Sequence, residues 1–169
     1  MIAETLMAEL KLEADNTRKL FDAITDDILE YKPNDFNWTI AQLASHTTEV
    51  YYWWPPTLHL DVMEMSKYDY DKGDISKMEN IRKKLEENIA IAIDSLEGCA
   101  DEKFGGTWSM EMNGKELFPP MPRMAVIRSF LMNHLYHHRG ELIAYMRANG
   151  KPVPGLYGPS YEEQAAMSS

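Results

Sequence analysis

Cysteine is nearly absent from this 169-residue sequence, where Cys99 stands alone. One thiol excludes an intrachain disulfide framework and leaves the redox compartment open, with a reducing cytosol favoured. Long apolar runs are missing too: no charge-free apolar stretch reaches the roughly 18 residues that a membrane-spanning helix needs. The opening MIAETLMAEL carries acids where a secretory signal has a basic start, so no signal peptide is expected. Positive charge is scarce. Seventeen Lys and Arg against 27 Asp and Glu give a net charge of −10. That excess repels phosphate backbones and anionic lipid, which excludes nucleic acid and membrane surfaces as general partners and leaves a small-molecule substrate. A cytoplasmic location is expected. No internal repeat or low-complexity segment stands out.

What the chain does have is ordinary for a soluble globular protein, with 44% hydrophobic and 26% charged residues. The length suits a single domain over 1–169 that buries roughly two thirds of its unfolded surface. Apolar residues at Ile2, Leu6, Leu10, Leu20, Phe21, Ile24 and Ile28 predict a long amphipathic helix from Ile2 to Glu30, ended by Pro33. Thr39 and Gln42 form a capping-box signature for a second helix with the stripe Leu43, His46, Val50, Trp53, continuing past Pro55 and Pro56 toward Met65. The polar stretch Ser66 to Asp74 reads as a connection. Ser76 with Glu79 offers another capping box, and the stripe Met78, Ile81, Leu85, Ile89, Ala92, Leu96 gives a third helix ending at Gly98. Between Phe104 and Phe118, Trp108, Met110 and Met112 alternate with polar residues, and Asn113-Gly114 signals a small hairpin or extended insert. Pro119, Pro120 and Pro122 precede a fourth helix that runs to Gly150, and the tail KPVPGLYGPSYEEQ reads as extended. The expected fold is an all-α bundle of four helices with a short hairpin insert before the last, its topology left open by linkers long enough to cross over.

Histidines interrupt two of the apolar stripes. His134 and His138 are one helical turn apart, within Ile127, Leu131, His134, His138, Leu142, Tyr145, and His46 lies on the inward face of the second helix. One inward imidazole is usually a satisfied core residue. Three facing one another are different, because each ring left without a partner costs roughly 1 to 3 kcal/mol, whereas one divalent ion satisfies all three. His46, His134 and His138 are therefore the candidate metal ligands, and three protein ligands leave a coordination position open, as in catalytic rather than structural sites. Glu49 and Glu141, each three residues after a candidate ligand, are placed to orient an imidazole from outside. His59 reads as surface and His137 as solvent-facing, and nothing marks Cys99 as a nucleophile. Tyr51, Tyr52, Trp53 and Trp54 read mostly as core, with part of the cluster walling a pocket.

The run HLYHHRGELIAYMRANGKPVPGLYGPSYEE, joined to WTIAQLASH upstream, resembles the DinB/YfiT-like superfamily along nearly the whole chain. The resemblance implies a four-helix bundle of up-down-down-up topology and a divalent metal, zinc or nickel, held by His46, His134 and His138. It also implies homodimers and a metal-dependent enzyme, with thiol-dependent S-transferases using low-molecular-weight thiols such as bacillithiol, and a mycothiol-dependent isomerase, among its members. A metal-dependent hydrolase and a non-catalytic stress or binding protein are the alternatives. Where the family commonly has glutamine after HRG, this chain has Glu141, which adds a negative charge near the metal.

Overall fold

A computed structural model describes residues 2–168; the two end residues of the expected domain lie outside the described residues. Helix α1, Ile2–Ala23, buries Leu6, Leu10, Ala14, Leu20 and Phe21. It stops seven residues short of the expected Glu30. Thr25 is extended (ψ 151°), and a 3-10 turn at Asp26–Ile28 then returns Ile28 to the core. Thr and Asp are poor helix formers, and here the Thr25 hydroxyl donates to the Asp27 carboxylate at 2.5 Å. The break has a use: Asp26 Oδ1 accepts the backbone N–H of Met78 at 2.9 Å, capping α4, Met78–Leu96, from a distant part of the chain. The expected Ser76–Glu79 capping box does not form, because Lys77 is the cap position and its side chain makes no cap bond. The predicted stripe of α4, Met78 through Leu96, is buried throughout.

Helix α2, Ile40–Tyr52, opens on the expected capping box: Gln42 N–H donates to Thr39 Oγ1 (3.2 Å), and Thr39 N–H donates to Gln42 Oε1 (2.9 Å). Pro55 and Pro56 sit in the first turn of a short helix α3, Trp54–His59, where proline is tolerated. The expected continuation to Met65 is replaced by a strand. Leu60 turns extended (ψ 152°) and β1, Val62–Glu64, follows. The hairpin forms as β2, Thr107–Met112, and β3, Lys115–Pro122, joined by Asn113 (φ 52°) and Gly114 (φ 72°), both in the left-handed region that a two-residue turn requires. β1 pairs in parallel with β2, Met63 opposite Met110, which buries both methionines on one face. The protein is therefore mostly helical with a three-stranded sheet of order β1-β2-β3, and the all-α expectation is corrected on that point.

The last long helical run has three parts: α5, Arg123–Val126, a π-helical stretch, Ile127–Met132, and α6, Asn133–Ala148. It ends on a Schellman motif at Gly150 (φ 66°), with Lys151 N–H donating to Met146 O and Gly150 N–H to Arg147 O, both at 3.0 Å. The tail is not extended throughout, since α7, Tyr161–Met167, forms on a Ser160–Glu163 capping box that the sequence reading passed over. Helices α1 and α2 each pack against α4 and α6. Among the described residues no helix is long and apolar enough to cross a membrane.

A buried ion pair ties α6 to α1 and to the tail. Arg139 (1% exposed) pairs with the Glu13 carboxylate (4% exposed), donates to the Glu13 carbonyl at 2.8 Å, and reaches the Tyr157 hydroxyl at 2.5 Å. Tyr157 in turn donates to Glu13 Oε2 at 2.6 Å. Removing one partner of such a pair strands the other charge in the interior. Arg139→Ala is expected to destabilise the fold by about 3 to 5 kcal/mol, and Tyr157→Phe by about 1 kcal/mol. Urea unfolding measures both, and an Arg139→Ala midpoint equal to that of the parent would contradict this account.

Candidate metal centre

Helix α2 contributes His46 and α6 contributes His134 and His138, so two helices that pack against each other bring three imidazoles to one point. The rings lie with centroids 4.5 to 5.1 Å apart. One nitrogen of each lies within 4.8 Å of the others. His46 Nε2 and His134 Nε2 are 3.3 Å apart, and His138 Nε2 is buried with no hydrogen-bond partner.

The other nitrogen of each ring fixes what these atoms can do. His46 Nδ1 faces Glu49 Oε2 at 3.1 Å, His138 Nδ1 faces Glu141 Oε2 at 2.7 Å, and His134 Nδ1 faces the Phe130 carbonyl at 3.3 Å. Carboxylates and carbonyls only accept, so the Nδ1 atoms carry the protons and the Nε2 atoms present lone pairs. Two lone pairs facing each other at 3.3 Å repel unless a cation lies between them. Two nitrogens bound to a tetrahedral ion at about 2.0 to 2.1 Å lie roughly 3.3 to 3.4 Å apart, which matches that spacing. The donor set, the tautomers and the orphaned Nε2 of His138 all fit a divalent metal.

Burial favours the neutral form of His134 and His138. It pushes the His134 pKa down to about 4, helped by the neighbouring His138 and His46. His138 is also lowered, again by burial first, with the Glu141 hydrogen bond working in the opposite direction.

Glu49 and Glu141 thus occupy the outer side of the cluster, facing Nδ1 atoms and not the point where the Nε2 atoms converge. His137 is exposed, 3.5 Å from Glu141. His59 lies elsewhere, its Nε2 at 3.0 Å from the Ser95 carbonyl, and Cys99 is half-buried against the same carbonyl. Two residues that the sequence reading did not single out belong to the site. Trp38, 48% exposed, packs edge-on against His46 with centroids 4.7 Å apart. Its signal was its place just ahead of the capping Thr39. Tyr68 donates its hydroxyl proton to Glu49 Oε1 at 2.9 Å from the segment read only as a polar connection, where nothing in the sequence pattern marked it. Tyr51, Trp53 and Trp54 are core, as expected, and Trp53 also flanks His46 and His134 at 5.4 Å. A pocket of about 350 Å³ adjoins the cluster, lined by Trp38, Gln42, His46, Glu49, Tyr70 and Lys72 among others.

Residues 1–168 match the DinB family. The chain belongs to the DinB family. It is 27% identical over 158 residues to a Bacillus subtilis (strain 168) protein named "Uncharacterized protein YrdA", covering 92% of this chain and 87% of that one. Among solved structures, a DinB-like protein from Bacillus cereus ATCC 10987 superimposes with a TM-score of 0.69 at 22% identity, covering 91% of this chain and 97% of that one. The DinB-like protein YjoA from Bacillus subtilis gives 0.66 at 17% identity, covering 90% and 97%. These two establish the shared DinB-like fold.

Because the folded pKa of His134 lies below its unfolded value near 6.5, the folded metal-free protein holds fewer protons than the unfolded chain between about pH 6.5 and pH 4. His134 costs the fold nothing above that window and destabilises it as pH drops through the window. Urea titrations in the presence of a chelator are expected to give a positive slope of stability with pH in this range. His134→Ala should flatten that slope; an unchanged slope would mean that His134 is not held neutral by burial.

Proposed function

We propose that His46, His134 and His138 hold one divalent metal ion, zinc or nickel, through their Nε2 atoms. On this reading the chain is a metal-dependent enzyme, in its specific form a thiol-dependent S-transferase. The observation that carries the reading is a converging three-nitrogen set with no protein group to close it: among the described residues, no fourth His, Cys, Asp or Glu joins the three. Glu49 and Glu141 are committed to the Nδ1 side, which favours an open catalytic position over a closed structural site. When bound, such an ion lowers the pKa of a coordinated water or thiol toward neutrality.

The chain's own residues supply the rest. Glu49 and Glu141 accept hydrogen bonds from the Nδ1–H groups, fixing the ring orientations and raising their basicity. Trp38 and Trp53 both pack edge-on against His46. The adjoining pocket has the size of a small-molecule site, and Lys72 and Tyr70 give it a cation and a hydroxyl for a polar or anionic substrate group. Thiol transfer rests on the motif resemblance. The contacts of α1 and α2 with both α4 and α6 support the finer fold reading, an up-down-down-up four-helix bundle with the ring order α1, α4, α2, α6.

Elemental mass spectrometry of protein purified without a metal-affinity column is expected to give close to one metal per chain after incubation with Zn²⁺ or Ni²⁺; less than about 0.2 would overturn the reading. Ligand binding to the folded state raises stability by mass action, about 2.7 kcal/mol at a hundredfold excess over Kd. Added metal should therefore raise Tm by several degrees in the parent and in His59→Ala, and hardly at all in His134→Ala. Equal shifts in the parent and His134→Ala would exclude the trio as the site. Screening the metal-loaded protein with low-molecular-weight thiols and electrophiles should reveal metal-dependent thioether formation. Metal-dependent ester or amide cleavage without thiol would identify a hydrolase instead.

A further inference from the structure

Beyond the two glutamates, a third layer of hydrogen bonds reaches His46. Trp53 Nε1–H donates to the Tyr68 hydroxyl at 2.8 Å, Tyr68 donates to Glu49 Oε1 at 2.9 Å, and Glu49 Oε2 faces His46 Nδ1 at 3.1 Å. The direction of every bond in this chain is dictated by its ends. An indole N–H can only donate and a carboxylate can only accept, so the tyrosine hydroxyl between them has one arrangement open to it: it accepts from Trp53 and donates to Glu49. Glu49 is then held at both oxygens, and the oxygen left for His46 meets an Nδ1–H.

We infer that Tyr68 is a positioning residue for the metal centre, fixing the carboxylate of Glu49 and through it the tautomer and aim of His46. This rests on the reading of His46, His134 and His138 as a metal site and extends it to a residue with no contact with the cluster itself. The asymmetry between the two glutamates supports it. Glu141, on α6, reaches back to His138 in the preceding helical turn at 2.7 Å, while Glu49 makes a longer bond to His46 and is tied down from outside the helix. Tyr68 follows a 3-10 turn, Met65–Lys67, next to β1, so the small sheet and its connection bear on a ligand of α2. Trp53 completes the brace from within, its ring stacked on Phe130 at 4.8 Å and 6°. Phe130 is also the residue whose carbonyl faces His134. One aromatic stack therefore touches the outer supports of two of the three histidines.

The test is a double-mutant cycle read by Co²⁺ binding, with affinity taken from the visible absorption of the bound ion. Outer partners of metal-bound histidines are typically worth 10- to 100-fold in affinity. Tyr68→Phe in the parent is expected to weaken Co²⁺ binding about tenfold while retaining a bound-ion spectrum. In a Glu49→Ala background the same substitution should change affinity by less than about twofold, because its effect travels through the absent carboxylate. General damage to the fold would weaken both backgrounds alike, and that result would overturn the inference. Equal binding by the parent and Tyr68→Phe would overturn it while leaving the metal reading intact. A parent that binds no Co²⁺ would overturn both. Should Tyr68→Phe not fold, Trp53→Phe keeps the ring on Phe130, removes the N–H donor, and is expected to weaken binding only where Glu49 is present; a loss independent of Glu49 again overturns the inference.

Discussion

Three imidazoles whose Nδ1 hydrogens are each committed to an oxygen must turn their remaining lone pairs toward one another, and the rest of the molecule is arranged around that constraint. Without a cation the arrangement is repulsive and leaves a buried nitrogen unsatisfied. The helices carrying the rings are held by forces elsewhere. Helix α2 is fixed at its start by a capping box and along its length by α4 and α6. Helix α6 is fixed one residue after His138, where Arg139 enters the interior to meet Glu13, and at its end by the turn at Gly150. The gathering of like-polarity nitrogens is thus separated in space from the contacts that stabilise the fold.

The inward and outward faces of HHRGE divide these tasks at single-residue spacing. His138 turns to the cluster, Arg139 to α1, Gly140 to solvent, and Glu141 back to His138. A helix rotates by about 100° per residue, so neighbours in sequence serve different partners. This explains how a short motif can carry both a candidate site and the anchor of the C-terminal tail, which packs Tyr157 against the same ion pair.

Much of this was legible in the sequence because it depends on period. The stripes of α1, α2, α4 and α6 and the inward aim of His46, His134 and His138 follow from spacings of three and four, and the Asn113-Gly114 turn follows from residue type. The elements that escaped depend on partners distant in the chain. The cap of α4 comes from Asp26, fifty-two residues away, so the local Ser76–Glu79 pattern misled. Strand β1 exists because β2 offers it an edge, and its three residues, within the expected continuation of the second helix, carry no period of their own. Tyr68 is invisible for the same reason: its role is set by where Trp53 and Glu49 lie in space. The helix α7 was an oversight of a different kind, since its capping box was present in plain residues behind a proline-rich stretch.

The sheet that the sequence only half announced ends in an edge strand with its own safeguard. β3 pairs on one side with β2, and three of its eight residues, Pro119, Pro120 and Pro122, have no backbone N–H to offer. Leu117 and Phe118, exposed on the same strand, are the apolar side chains that would otherwise invite a neighbouring chain to add a strand and begin an aggregate. Prolines at that position close this edge to such growth, and the opposite edge, β1, is only three residues long, too short to template a further strand.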